Sequence, residues 1–149
     1  MLNLRDIKLP IESIPQTSWG LSLANKLEKE EWDKIRKVCL EEAHYKCRIC
    51  GEENKELHCH EVWEFNDKNN TQVLKAVVCV CKLCHDCIHY SRSILVHKLG
   101  YITRLRNHIM KLNNWNFVQL SEYLEIIKKQ NYKRVNRKYK VIVGNRELI

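Results

Sequence analysis

Glycine and proline are scarce in this 149-residue chain, with four and two copies respectively. Because these residues punctuate turns and favour disorder, and 30% of the residues are charged, the chain is expected to be ordered and rich in helix. Apolar runs are short, and nothing approaches the ~20 consecutive apolar residues of a membrane span. At the amino terminus Asp6, Lys8 and Pro10 interrupt Leu4 and Ile7. No secretory apolar region forms there, so a cytoplasmic, reducing location without a membrane partner is expected. Solenoid repeats and low-complexity segments are also missing. Acidic residues are nearly lacking from one stretch: residues 98–149 hold 3 Asp and Glu against 12 Lys and Arg, whereas residues 1–97 hold 15 against 14, for a net charge of +8.

That asymmetry suits a surface for a polyanion such as DNA, although a solvated helix face produces the same run of charge. The candidate nucleic-acid-binding cations are Lys128, Lys129, Lys133, Arg134, Arg137, Lys138 and Lys140. The length suits one compact unit, divided into an arm at 1–26, a core at 27–92 and a basic helical extension at 93–149.

Cysteine is plentiful, with eight copies. In a reducing compartment such residues bind metal or stay free more often than they pair as disulfides. Four of them form the pairs Cys47-x-x-Cys50 and Cys81-x-x-Cys84. Two intervening residues let both sulfurs of a pair reach one ion from a tight turn, and Zn²⁺ takes four such ligands. The 30 residues between Cys50 and Cys81 leave room for a hairpin to go out and return. A structural Zn²⁺ on Cys47, Cys50, Cys81 and Cys84 is therefore expected. Cys59, Cys79 and Cys87 are competing thiols, and the last two lie close enough to substitute.

The periodicities predict an α+β fold. Residues 1–24, with Pro10 and Pro15, read as an extended arm that packs through residues such as Ile11 and Trp19. Trp32, Ile35, Cys39 and Ala43 make an amphipathic helix over about 27–43. Leu57 to Phe65 reads as a strand, Asp67 to Asn70 as a turn and Val73 to Cys81 as the returning strand. Helical spacing follows from His85 to Leu112, with Gly100 as a weak point or a break. Asn116 and Gln119 form a capping box ahead of a stripe of Phe117, Leu120, Leu124 and Ile127. Val141 to Val143 suggests a terminal strand.

A second cluster carries the chemistry. His58, His60 and Glu61 lie on the outgoing strand, and His85 and His89 lie four residues apart on one helix face. If the zinc holds hairpin against helix, His60, His85 and His89 form a three-imidazole face with positions left open, as a catalytic metal requires. His44, His97 and His108 read as structural or solvent-facing.

Together, Cys47-x-x-Cys50, Leu57-His58-Cys59-His60-Glu61-Val62 and Cys81-x-x-Cys84-His85-x-x-x-His89 resemble the pattern of HNH nucleases, built on a treble-clef, ββα-metal core. Trp32-Asp33-Lys34-Ile35-Arg36 and His108-Ile109-Met110-Lys111-Leu112-Asn113-Asn114-Trp115 extend the likeness to small bacterial and phage proteins labelled HNH endonucleases. The resemblance implies metal-dependent hydrolysis of DNA phosphodiesters, with Mg²⁺, Mn²⁺, Ni²⁺ or Zn²⁺ on His60, His85 and His89. In the family a metal ligand on the strand is followed by a histidine general base. Here His60 matches the ligand and Glu61 stands where the base belongs; a carboxylate is the weaker base unless burial raises its pKa. Sliding the match by one residue makes His60 the base and Cys59 a ligand, and His58 on the same strand face can also take the proton. The family's middle Asn has only Asn69 and Asn70 nearby, both too early. The alternative is a non-catalytic zinc module that binds nucleic acid or a protein partner, including a phage inhibitor of a host protein.

Overall fold

The structure is a computed structural model that describes residues 2–53 and 56–148. Asn54 and Lys55, within the polar turn expected after the first Cys-x-x-Cys pair, lie outside the described residues. Two short 3₁₀ turns precede α1 (Leu23–Lys26) and α2 (Lys29–Glu42); β1 (Leu57–Asn66) and β2 (Thr71–Cys81) follow. Next come α3 (Lys82–Ile88), α4 (Tyr90–Val96), α5 (Leu99–Asn113) and α6 (Phe117–Arg134), then β3 (Lys140–Val143) and β4 (Arg146–Leu148). The architecture is mixed α+β, with a four-stranded sheet in the order β1-β2-β3-β4. Strands β1 and β2 pair antiparallel, β3 joins β2 in parallel, and β4 closes against β3. Among the described residues, no helix is long and apolar enough to cross a membrane.

The β1–β2 hairpin places the site. Cys59 faces Cys79 and His60 faces Val78 across the ladder, so alternate residues leave on opposite faces. One face carries Cys59 and Cys79 toward Cys39 of α2 and Ala43, which caps that helix. The other turns His58 and His60 toward α3, beside the main core of Val80, Ile88, Leu105, Ile109 and Leu120. A register shift between Val62 and Trp63 interrupts the alternation just beyond His58 and His60.

The amino-terminal arm packs down, as its apolar content predicts. Leu9 and Ile11 are buried in the main core. The Tyr123 hydroxyl accepts from the Ile11 amide at 2.9 Å, and Asn113 Oδ1 accepts from the Lys8 and Leu9 amides. Tyr123 also fills the α6 stripe where Phe117 was expected to contribute. Phe117 is the first helical residue and stands exposed, while Leu120, Tyr123 and Ile127 are buried. The Asn116–Gln119 capping box is formed.

The helical break falls at His97 and Lys98, both extended, and Gly100 lies inside the first turn of α5. There its amide needs no intrahelical acceptor, so a glycine costs little. The fold-back is tied by Asp86, whose carboxylate accepts from Lys82 at 2.6 Å and from the Tyr101 hydroxyl at 2.5 Å. The short strand β4 is an element that the sequence pattern did not announce; it follows a turn through Gly144, whose φ of +59° suits glycine.

Candidate metal centres

Two clusters flank the hairpin. In the first, one ligand atom each from Cys47, Cys50, Cys81 and Cys84 lies within 4.8 Å of every other. Four sulfurs held tetrahedrally by zinc at about 2.3 Å stand about 3.8 Å apart, and Cys50 Sγ is 3.7 Å from Cys81 Sγ. Both pairs use one local geometry. The amide of the last cysteine points to the sulfur of the first, Cys50 to Cys47 at 3.5 Å and Cys84 to Cys81 at 3.4 Å. Cys81 also caps α3, where the helix end favours a thiolate.

Hydrogen bonds from Cys81 and Cys84 hold the Cys47 thiol far below its usual pKa. The bond to Cys47 pushes Cys81 up to about 11, and Cys84 is raised by its bonds to both neighbours. By themselves the sulfurs resist a second ionisation, which a dication among them removes. The donor set and spacing fit a metal such as zinc.

The rival thiols are placed elsewhere. Cys79 and Cys59 pack against Cys39, and Cys87 lies in the main core with its sulfur toward the Leu105 carbonyl. His108 is more closely involved than its sequence context suggested: its Nε2 lies 3.2 Å from Cys84 Sγ. Burial lowers its pKa, which favours the neutral ring.

The second cluster is His60, His85 and His89, again with ligand atoms within 4.8 Å of one another. Nε2 of His85 and Nε2 of His89 are 3.1 Å apart. Imidazole nitrogens bound tetrahedrally at about 2.0–2.1 Å stand about 3.4 Å apart, and His89, which caps α3 with its amide on the His85 carbonyl, keeps the i, i+4 placement that aims both rings at one point. Burial, then the neighbouring imidazoles, pushes His85 down to about 3, and burial followed by His60 brings His89 to about 4. Both are neutral near pH 7, the form that ligates metal.

Each histidine's other nitrogen matters as much. His85 Nδ1 is 2.8 Å from His58 Nδ1, and His58 Nε2 is 3.1 Å from Glu56 Oε1. With Nε2 of His85 turned to the cluster, its Nδ1–H donates to His58, whose Nε2–H donates to Glu56. Both nitrogens of His58 are therefore engaged. His60 is 3% exposed, and its Nε2 lies 2.9 Å from Glu12 Oε1 in the arm. A neutral ring donating to Glu12 keeps its lone pair on Nδ1.

Glu61 Oε1 accepts from the Leu23 amide at 2.5 Å, and Oε2 accepts from Trp63 Nε1 at 3.2 Å. Burial raises the Glu61 pKa against these two donors. Glu61, the three histidines and the exposed Arg92 line one cavity of about 480 Å³. The Arg92 guanidinium has no hydrogen-bond or ion-pair partner among the described residues. Neither Glu12 nor Arg92 was singled out by sequence. Nothing local marks Glu12, whereas Arg92 follows His89 by three residues and shared a legible helical face.

The seven basic candidates separate into two groups. Lys128, Lys129, Lys133, Lys138 and Lys140 are exposed. Arg134 is buried, donates to the Ser13 carbonyl at 2.6 Å and to Asp67, and lies over the Phe65 ring. Arg137 is half-buried and donates to the Asp67 carbonyl and to Asn70 Oδ1. Both guanidiniums tie α6 and the segment after it to the hairpin turn.

Comparison with protein-family models, curated proteins and solved structures gave no match.

Proposed function

We propose that this protein is an HNH-like, metal-dependent endonuclease that hydrolyses DNA phosphodiester bonds. The observation that carries the reading is the convergence of His60, His85 and His89, which also line a cavity of about 480 Å³. The order of Cys-x-x-Cys turn, hairpin, Cys-x-x-Cys turn and helix supports a treble-clef, ββα-metal core. The four cysteines hold the structural zinc, and the three histidines hold the exchangeable ion.

A divalent ion on three imidazoles supplies positive charge opposite a phosphate and acidifies water at neutral pH. Glu61 is assigned as the proton acceptor. Its raised pKa makes it a better base than an ordinary carboxylate, and each oxygen keeps a lone pair beyond the one given to Leu23 or Trp63. His58 and Glu56 position His85, and Glu12 positions His60, by fixing their tautomers. Arg92 offers charge to the phosphate. The exposed lysines of the basic segment hold the DNA backbone without reading sequence.

The test incubates purified, zinc-loaded protein with single-stranded, linear and supercoiled DNA in Mg²⁺, Mn²⁺, Ni²⁺ or Zn²⁺. Cleavage under at least one ion, lost in His85→Ala, is expected. No cleavage under any of them ends the reading. That result would favour a non-catalytic zinc module with a nucleic-acid or protein partner, a reading supported by Glu61 having both oxygens bonded to protein donors.

A further inference from the structure

The cavity at the three histidines has aromatic walls. Trp19 of the arm, Trp32 of α2 and Trp63 of β1 line it. Two of the three indole N–H groups are already used, Trp19 on the Ile14 carbonyl and Trp63 on Glu61. What those rings retain for a ligand is their flat faces. At about 480 Å³, the space falls within the roughly 300–1,000 Å³ typical of small-ligand sites, which suits one nucleotide and excludes a stacked duplex.

A second observation points the same way. Gln72 is 1% exposed and Ser18 is 6% exposed, and both line this cavity. Gln72 Oε1 and Ser18 Oγ have no hydrogen-bond partner among the described residues. Buried polar atoms are nearly always bonded, so two unpartnered ones in the lining of one cavity mark where a polar ligand belongs. Gln72 is placed by neighbours on both sides: it pairs with Phe65 of β1 and with Val141 of β3. Its carbonyl oxygen is an acceptor, which requires a ligand that donates.

Flat apolar faces, a buried acceptor and a free guanidinium are the complement of a nucleotide. We propose that this cavity receives one unstacked nucleobase of single-stranded nucleic acid, its ring against the indoles and its exocyclic amino group on Gln72 Oε1. The adjoining phosphate lies between Arg92 and the three histidines. Placing the phosphate rests on the nuclease reading; placing the base does not. A base inside a duplex cannot reach these walls, so the preferred substrate is single-stranded or locally unpaired.

The test reads binding rather than cleavage. Zinc-loaded protein is titrated, by tryptophan fluorescence, with a phosphorothioate deoxyadenosine tetranucleotide, with its all-abasic counterpart and with a short closed duplex. Stacking on an aromatic side chain commonly contributes about tenfold in affinity per base. At least tenfold tighter binding of the tetranucleotide than of either control, with quenching, is expected. Trp19 is already 37% exposed, so Trp19→Ala should keep its zinc content and melting temperature while losing most of that preference. Gln72→Leu should lose it too. Equal affinity for the normal and abasic tetramers overturns the proposal, as does full preference retained in both variants. Base preference without cleavage sinks the nuclease reading and leaves this pocket standing; cleavage without base preference does the reverse.

Discussion

The carboxylate of Glu12 lies 2.9 Å from Nε2 of His60, joining the amino-terminal arm to one of the three clustered histidines. Because His60 is buried, this contact fixes its ring where solvent cannot. Outer carboxylates of this kind commonly account for about 10- to 100-fold in metal affinity or activity. On the proposed reading, Glu12→Ala is therefore expected to weaken divalent-ion binding at the histidine cluster by that factor in titration calorimetry, with zinc binding at the four cysteines unchanged. Glu12→Gln, which keeps an acceptor but not the charge, should fall between. Unaltered ion binding in both would reduce the arm to packing.

Removing zinc should act on folding as well as on chemistry. The sulfurs of Cys47, Cys50, Cys81 and Cys84 lie close enough together to hold one metal ion, so Cys84→Ser should release a zinc bound there and lower the melting temperature sharply, as a strong chelator should do to the wild type. Cys59→Ser should leave that zinc in place, since Cys59 stands outside the four-sulfur cluster and packs against Cys39. Colorimetric zinc release separates the two variants directly.

Acid should destabilise the protein through the histidine cluster. His85 and His89 are lowered to about 3 and about 4 from 6.5. Below pH 6.5 the unfolded chain therefore binds protons that the folded chain refuses. Stability falls as pH drops from 6.5 toward those values and is insensitive to these groups above 6.5. Melting temperature measured between pH 7 and 5, without the exchangeable ion, should fall less steeply in His85→Gln than in wild type.

The basic residues should divide by burial. Arg134→Ala strips donors from the Ser13 carbonyl and from Asp67, and a loss of about 2 kcal/mol in denaturant unfolding is expected. Lys133→Ala should leave stability within about 0.5 kcal/mol. Its effect should appear in DNA binding, as weaker affinity and a salt dependence shallower by about one unit of slope.

Local signals carried most of the architecture. Spacing alone brought Cys47, Cys50, Cys81 and Cys84 to one point, because two residues between thiols admit few geometries. Strand alternation and helical i, i+4 spacing did the same for His60, His85 and His89. The Asn116–Gln119 box marked the start of α6 for equally local reasons. Illegible features depend on distant partners. Glu12 meets His60 across 48 positions, and Arg134 reads as one more surface cation until Ser13 and Asp67 surround it. Phe117 carried a helical stripe position that the helix start turned outward, while Tyr123 was buried by virtue of its bond to Ile11. Gly100 suggested a break that Asp86 instead fixed three residues earlier, through its hold on α5.

Cys81 ends β2, contributes a sulfur to the four-cysteine cluster and caps α3. His85 follows one helical turn later, with no intervening loop to absorb a displacement. Strand end, sulfur and imidazole thus share one rigid stretch of backbone that pivots on a single residue. A reagent that captures that sulfur should shift His85 without ever reaching it.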